Sequence, residues 1–353
     1  MGNTSKVATE RHFVVSHTGL VMALAALIAG CGGGGGAPAT SSTSAGSGTG
    51  AVTLFEQPQE SSITGNLAVP LATNTGQPIG IFKLVLLQTN PFMTNGELVP
   101  TAWNASSETG FAPSDPMSDQ LGFQNTPGTS TAQMDGDTVG VYINSKDVPN
   151  SPVDPGNTDG GCGHVTGPAV QKMMITPQYI WASGTQPVPF ASSTAVLSGS
   201  MNLQIPTASG DAYVVLDLLF EGPNGVRISY GIEIFHKGLT NPVLSCGYDV
   251  PSHSYKLDSP LGVDEQYVSM AANSTSYTAV PWLGWQSFGW SISQSQFSAA
   301  LQFLAQQFPA AVQDVDSTQY TLAEVHLNAE INFLPGPADL GWSMSGLTMM
   351  LGN

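Results

Sequence analysis

The sequence predicts an all-β protein in which two sheets pack as a jelly-roll sandwich, with one late helix. Only 9% of the residues are charged while 41% are hydrophobic, and there are 40 Gly and 25 Pro, which is typical of exported β-proteins with many turns. From about residue 137 onward, short runs of alternating apolar and polar residues follow one another. Such runs indicate strands that place one face on a core, and two sheets are needed to bury those faces.

These runs define the strands of the main predicted domain, residues 136–353. The predicted strands are 139–144, 196–205, 212–220, 227–235, 285–292, 320–333 and 342–351. The turn at 221–225 contains Gly, Pro and Asn, so the strands on either side of it are expected to form a hairpin.

One helix is predicted between the strands 285–292 and 320–333. Its apolar residues recur at helical spacing, and they are Phe297, Leu301, Leu304 and Phe308. Ser293 or Ser295 is the predicted N-cap, and Pro309 ends the run.

Residues 51–135 are predicted to be an N-terminal extension or a small β appendage. The run 79–87 reads as a buried strand, and 67–69 reads as a short one that Pro70 ends. The rest of this part is rich in Pro, Asn, Ser and Gly, which is typical of loops.

Residues 1–30 are predicted to be a signal peptide. Lys6 and Arg11 precede the apolar run 20–28, which is short for a membrane span. The run ends in Leu27-Ile28-Ala29-Gly30-Cys31, which resembles the lipobox of bacterial lipoproteins. That resemblance implies that Cys31 is acylated and begins the mature chain. An ordinary signal peptide cut near Ala29 is the alternative.

The lipidated Cys31 would be followed by a flexible linker that extends to residue 50. This stretch is almost entirely Gly, Ser, Thr and Ala, and it cannot bury apolar surface. Position two of the mature chain is Gly32 and not Asp, which by resemblance to sorted lipoproteins favours the outer membrane. The expected location is therefore lipid-anchored at the bacterial outer membrane, facing the periplasm or the outside.

The charge balance excludes several classes of partner. The chain has 8 Lys and Arg against 25 Asp and Glu, so it repels nucleic acid, anionic lipid headgroups and acidic polysaccharides. No Gly-x-Ser-x-Gly elbow, phosphate-binding loop or dinucleotide fingerprint is present, and no cofactor is predicted. His326 has no second His at ligand spacing, so no metal site is predicted either.

With Cys31 assigned to the lipid, Cys162 and Cys246 remain as a predicted disulfide in an oxidising compartment. The alternative is a reactive or metal-binding Cys162 beside His164, although one Cys and one His do not make a site.

Two predicted strands each place a glutamate on their polar side. Glu233 lies in Gly231-Ile232-Glu233-Ile234-Phe235, and Glu330 lies in the alternating run 323–333. Side chains alternate between the faces of a strand, so both carboxylates can project from a sheet while their neighbours fill the core. Two facing carboxylates are the minimum required to cleave a glycosidic bond.

The order of these elements resembles family-12 glycoside hydrolases, a concanavalin-like β-jelly-roll family of retaining endoglucanases and xyloglucanases. Residues 216–220 stand where that family has Tyr-Asp-hydrophobic-Trp-Leu, and Glu233-Ile234-Phe235 stands where it has Glu-Ile-Met. Further on, Gly289-Trp290-Ser291-Ile292 precedes the helix, and 327–333 stands in place of the strand that carries the acid/base. The resemblance covers residues 196–351, under half of the chain. Phe235-His236-Lys237 and Ile331 depart from the family pattern.

The resemblance implies that Glu233 is the nucleophile and Glu330 the acid/base, with Asp217 on the neighbouring strand of the hairpin. In the absence of this resemblance, each would be read as a solvated carboxylate on a polar face. For a retaining reaction the two carboxyl groups should lie about 5 to 5.5 Å apart.

The same polar face suggests contacts to a sugar. His326, Asn328 and Asn332 alternate with apolar residues, so they face either bulk water or a cleft. Trp285 is a candidate stacking platform; core packing is the commoner fate of a tryptophan.

The sequence therefore predicts an anchored lipoprotein that binds a polysaccharide or oligosaccharide and hydrolyses a neutral β-glucan or xyloglucan. The main alternative is a glycan-binding or structural lipoprotein that kept the fold without catalysis. A third alternative, a protein-interaction module, would require an exposed apolar patch.

Overall fold

The computed structural model describes residues 51–57, 69–72, 78–88, 112–113, 121–124, 131–145, 172–181, 184–249, 252–332 and 336–352. The predicted signal peptide, the lipidation site Cys31, the linker and Cys162 lie outside these residues, so those expectations stay predictions. Among the described helices, none is long and apolar enough to cross a bilayer.

The described residues are mostly β-structure. The strands are β1 (Val52–Glu56), β2 (Val69–Ala72), β3 (Pro78–Gln88), β4 (Ala112–Pro113), β5 (Leu121–Gln124), β6 (Thr131–Asp135), β7 (Thr138–Asn144), β8 (Lys172–Trp181), β9 (Val196–Ser209), β10 (Asp211–Glu221), β11 (Arg227–His236), β12 (Ser245–Asp249), β13 (Ser254–Pro260), β14 (Ser269–Met270), β15 (Trp282–Ser293), β16 (Thr321–Asn332) and β17 (Asp339–Gly352). One α-helix, α1 (Gln294–Gln307), and short 3₁₀ turns at Pro223–Gly225 and Ser317–Gln319 complete the regular elements of the part from β9 onward.

The strands form two sheets. The nine-stranded sheet has the order β14-β15-β9-β17-β7-β6-β5-β4, with β1 also paired to β17, and the eight-stranded sheet has the order β12-β13-β11-β10-β16-β8-β3-β2. Some paired strands are far apart in sequence, such as β9 with β17 and β10 with β16, as in a jelly roll. The predicted two-sheet sandwich with a late helix is confirmed.

The core lies between the apolar faces of the two sheets. In β10 the residues Val214, Leu216 and Leu218 have no exposed surface, and Trp290 and Trp342 from the nine-stranded sheet are 1% exposed each. Burying a large apolar side chain stabilises the fold by about 1.5 to 3 kcal/mol. The same alternation places Tyr213, Val215 and Asp217 of β10 on the other face of the eight-stranded sheet.

Helix α1 begins where the sequence predicts. The Ser293 side chain accepts a hydrogen bond from the backbone N–H of Gln296, and the Gln296 side chain accepts one from the N–H of Ser293, which is a capping box. Phe297 is fully buried and stacks on Phe190, with ring centroids 4.6 Å apart. The helix therefore packs its apolar stripe on the core.

Several described strands lie in residues 51–135, where strand patterns are weak. Strands β2 and β3 extend the eight-stranded sheet, while β1 and β4–β6 extend the nine-stranded sheet. The described strands before residue 136 thus belong to both sheets, and the domain boundary predicted there stays a prediction. Strands β1, β4–β6, β8 and β12–β14 were not predicted. Strand β13 runs parallel to β11 and brings its residues beside the hairpin.

Candidate functional site

The site is built on the face of the eight-stranded sheet that points away from the core. Strand β10 lies in its centre, between β11 and β16. On β10, Tyr213 pairs with Glu330 of β16, and Val215 pairs with Glu233 of β11. The two glutamates therefore lie on strands on either side of β10 and on the same face as Asp217.

These carboxylates are recessed among their neighbours. Asp217 is 3% exposed, Glu330 7% and Glu233 8%. Carboxylates are seldom this buried unless other groups compensate their charge. The reading of Glu233, Glu330 and Asp217 as ordinary solvated carboxylates therefore does not hold.

Asp217 is held from three sides. The Ser229 hydroxyl donates to its Oδ1 over 3.1 Å, and the Asn328 amide donates to its Oδ2. The Lys256 ammonium lies 3.6 Å from the same Oδ2. With both oxygens engaged, the Asp217 carboxyl group is held in one orientation on this face.

Lys256 and Asp258 come from β13, two residues apart and on the same side of the strand. The Lys256 ammonium lies 3.4 Å from Asp258 Oδ2, so it bridges two carboxylates. Burial lowers the pKa of Lys256, but the charges of Asp217 and Asp258 outweigh burial and hold the pKa well above its ordinary value. Lys256 is therefore a permanent cation in this site.

Asp258 is the most perturbed carboxyl of the face. Burial raises its pKa to about 7, with Lys256 opposing the rise and the charges of Asp217 and Glu233 adding to it. Its Oδ1 is buried without a hydrogen-bond partner. At neutral pH this carboxyl is divided between its acid and its ionised form.

Glu233 is held by an imidazole. His236 Nδ1 lies 3.1 Å from Glu233 Oε1, and His236 Nε2 lies 2.8 Å from Asp211 Oδ1. Burial lowers the pKa of His236, but the hydrogen bonds to the two carboxylates outweigh burial and raise it to about 9. His236 therefore faces Glu233 as a cation at neutral pH.

Glu330 has a different neighbour. Tyr213, its pairing partner on β10, makes a side-chain hydrogen bond to it. Burial, and then the charge of Glu330, raise the pKa of the Tyr213 phenol well above its ordinary value. Tyr213 is therefore a neutral hydroxyl, whereas the imidazole that is bonded to Glu233 is a cation.

At the far end of the face, the charges are paired among themselves. Arg227 Nη2 lies 2.7 Å from Glu324 Oε1, and His326 Nε2 lies 2.6 Å from Glu324 Oε2. The predicted sugar contact His326 is thus on the expected face but engaged with Glu324.

The other predicted contacts are placed in different ways. Asn328 donates to Asp217, and Asn332 donates to Asp211 over 2.9 Å. Trp285 lies half-buried in β15 of the nine-stranded sheet, so strand pairing does not bring it beside the carboxylates. The roles of His326, Asn328, Asn332 and Trp285 in sugar binding stay predictions.

Four charged or titratable residues of this face were missed by the sequence reasoning: Asp211, His236, Lys256 and Asp258. The alternation in residues 254–260 was the available signal for the last two, since Lys256 and Asp258 share one face of that strand. His236 lies three residues after Glu233, and in a regular strand two such residues point to opposite faces. A register shift in the pairing of β10 and β11 brings both to the same face.

No metal site is found in the part of the chain that the structure describes, where no three His, Cys, Asp or Glu residues are arranged as ligands. Cys246 is buried in β12, 4% exposed. Its predicted partner Cys162 lies outside the described residues, so the disulfide stays a prediction.

No protein-family model and no curated protein matches this chain. Solved structures similar to it include an engineered cellulase derived from Cel12A of Rhodothermus marinus, 10% identical, covering 76% of this chain and all of the other, with a TM-score of 0.32. A family 12 xyloglucanase from Bacillus licheniformis is 12% identical over 67% of this chain and 88% of its own, with a TM-score of 0.33. The likeness concerns the fold alone.

Proposed function

We propose that this chain is a retaining glycoside hydrolase, with Glu233 as the nucleophile and Glu330 as the acid/base. The observation that carries the proposal is the placement of both recessed carboxylates on one sheet face, on either side of β10, with a cation beside one and a neutral hydroxyl beside the other. Two carboxyl groups in unlike surroundings are what an acid and a nucleophile require.

The chemistry takes two steps. A Glu233 oxygen attacks the anomeric carbon while Glu330 donates its proton to the leaving glycosidic oxygen, which gives a glycosyl ester on Glu233. Glu330, now ionised, takes a proton from water, and the water oxygen attacks the anomeric carbon and releases Glu233. Because both displacements invert the anomeric carbon, the product keeps the starting configuration.

The charge of the face favours a neutral substrate. Apart from the paired charges of Arg227 and Glu324 at its far end, the face has two cations, Lys256 and His236. Its other carboxyl-bearing residues are Asp211, Asp217, Glu233, Asp258 and Glu330. A uronic acid would bring a further negative charge and would be repelled. We therefore propose a neutral β-glucan or xyloglucan as the substrate.

The proposed location is the bacterial outer membrane, with the chain anchored through a lipid on Cys31. The lipobox-like sequence and the linker 31–50 support it. Incorporation of an alkyne-tagged palmitate in a bacterial host, lost in Cys31→Ser, tests the anchor. The proposed Cys162–Cys246 disulfide is tested by peptide mapping without reductant.

The hydrolase proposal is tested by reducing-sugar release from a panel of neutral β-glucans and xyloglucan. The full chain is compared with Glu233→Gln and Glu330→Gln, and Glu265→Gln, an exposed glutamate, is the matched control. We expect turnover to be lost in the first two variants and kept in the third, with unchanged folding. Turnover that survives in either site variant would remove that residue from the chemistry.

One observation favours a binder without catalysis. Asp217 and Glu233 are already engaged by neighbouring side chains, which is also the pattern of a purely structural polar network. Glycan binding without sugar release on any substrate would support that second function. Val280 and Leu283 are 64% and 77% exposed. Isolated apolar residues are ordinary on a protein surface, whereas an interaction module requires a contiguous apolar patch.

A further inference from the structure

A line of hydrogen bonds joins the strand of Glu330 to the strand of Glu233. The Asn332 amide of β16 donates to Asp211 Oδ2 over 2.9 Å. His236 of β11 lies 2.8 Å from the other Asp211 oxygen, Oδ1, and 3.1 Å from Glu233 Oε1. The line crosses three strands and ends on the proposed nucleophile.

A bulge in β11 makes this line feasible. Val214 of β10 pairs with Phe235, whereas Val215 pairs with Glu233, so Ile234 is an extra residue in β11. In a regular strand, residues three apart point to opposite faces. The extra residue restores His236 to the face of Glu233, and bulges often re-aim a side chain in this way.

The His236 ring has a carboxylate beside each of its nitrogens, which favours a form that donates a hydrogen bond from both. A neutral imidazole has one N–H, so one of its nitrogens would turn a lone pair toward a carboxylate. An imidazolium donates to both, and charge-assisted bonds of this kind are the strong ones. The His236 ring also packs against Tyr213, with ring centroids 5.3 Å apart, which limits its rotation.

We propose that His236 is a positioning residue, which fixes the Glu233 carboxylate through its Nδ1 while Asp211 and Asn332 fix the imidazole. This inference rests on the proposed function, because it assigns His236 a part in the reaction of Glu233. The chain departs at this position from the family that it resembles, so the arrangement belongs to its own sequence.

The charged and titratable groups that face His236 come from two strands and a loop. Asp211 and Tyr213 lie on β10, and Glu233 lies on β11. From the loop after β14, the Tyr277 hydroxyl donates to the His236 carbonyl over 3.4 Å. The two carboxylates account for the pKa of about 9, since burial by itself acts in the opposite direction.

The first test needs no substrate. The imidazole ¹⁵N signals and the Glu carboxyl ¹³C signals of the full chain are followed from pH 5 to 10, in wild type, Asp211→Asn and His253→Gln. His253, on the exposed loop before β13, is the control. We expect His236 to titrate near pH 9 in wild type and in His253→Gln, and at least one unit lower in Asp211→Asn. A His236 pKa near 6.5 that does not change in Asp211→Asn would overturn the proposed positioning role of His236.

The second test separates positioning from a merely structural role. In His236→Ala we expect kcat to fall about ten- to hundredfold, as for the loss of a hydrogen bond to a charged group, with KM changed much less. His236→Asn keeps a donor near Nδ1 and should recover part of kcat. Unchanged kcat in a folded His236→Ala would overturn the proposal. Absence of turnover in wild type would instead refute the proposed function. The first test would still decide whether His236 is held between Asp211 and Glu233.

Discussion

Gly231 of β11 and Asp258 of β13 are register partners, and Asp258 Oδ1 occupies the space that a Cβ of residue 231 would need. Val215 Cγ1 would lie 2.9 Å from that Cβ on the other side. The missing side chain of Gly231 is thus what admits the buried carboxyl of Asp258 to the face that holds Asp217 and Glu233.

Gly231→Ala should therefore destabilise the protein. The added methyl must displace Asp258 or Val215, and overpacking of this kind costs about 1 to 3 kcal/mol. Chemical denaturation at pH 7 measures the change. Gly336→Ala is the matched control, because a Cβ there meets no atom within 4 Å. Equal stability of Gly231→Ala and wild type would mean that Asp258 does not occupy this space.

Asp258 should make stability fall as the pH rises from about 4 to about 7. Its pKa is raised from 3.8 to about 7, so between these values the folded protein binds a proton that the unfolded chain has released. One such proton lowers the free energy of unfolding by up to about 1.4 kcal/mol per pH unit. The free energy of unfolding against pH, for wild type and Asp258→Asn, measures this contribution. The variant should lose that part of the slope, and parallel curves would contradict the assignment.

Lys256→Met should destabilise the protein more at pH 8 than at pH 5. The substitution keeps the length of the side chain but removes the cation that bridges Asp217 and Asp258. Removing one partner of a recessed ion pair costs about 3 to 5 kcal/mol, and protonation of Asp258 in acid relieves part of that cost. Thermal unfolding at both pH values tests this, with Lys237→Met on the adjacent loop as the control. A loss that does not depend on pH would show that Lys256 acts through packing alone.

Substitution of Trp290 should mainly lower the stability of the protein, whereas substitution of Trp285 should mainly test sugar binding. Trp290 is 1% exposed, and its truncation to Ala should cost about 3 to 5 kcal/mol of stability. Trp285 is half-buried, so its truncation should cost less. Calorimetric unfolding, together with binding to xyloglucan, measures both effects. Weaker binding by Trp285→Ala with near-normal stability would support the predicted sugar contact, and unchanged binding would remove it.

Alternation and turn residues were enough to predict the central hairpin, the strand of Glu330 and the helix, because each has a wholly apolar face. The sequence left its cap open between Ser293 and Ser295, and the structure has Ser293. Strand β13 was not predicted, because it is short and includes the polar residues Lys256 and Asp258. Alternation in residues 254–260 indicates a strand, but only the long-range pairing of β13 with β11 places Lys256 and Asp258 beside Asp217.

The shared face of Glu233, Asp217 and Glu330 was predictable from the same alternation of side chains along each strand. The position of His236 on this face was not predictable. The extra residue in β11 changes which face His236 points to, and the prediction assumes a regular alternation. A bulge follows from the pairing of two strands, so the sequence of one strand does not reveal it.

The most direct measurement of the central claim is covalent trapping of the full chain with a 2-deoxy-2-fluoro-β-cellobioside that carries a dinitrophenolate leaving group. The fluorine slows both displacements, while the activated leaving group lets the first proceed, so the glycosyl ester accumulates. Intact mass and peptide mapping should place one fluorocellobiosyl group on Glu233, with none in Glu233→Gln. A label on another residue, or none in a protein that releases sugar from β-glucan, would contradict the assignment of Glu233 as the nucleophile.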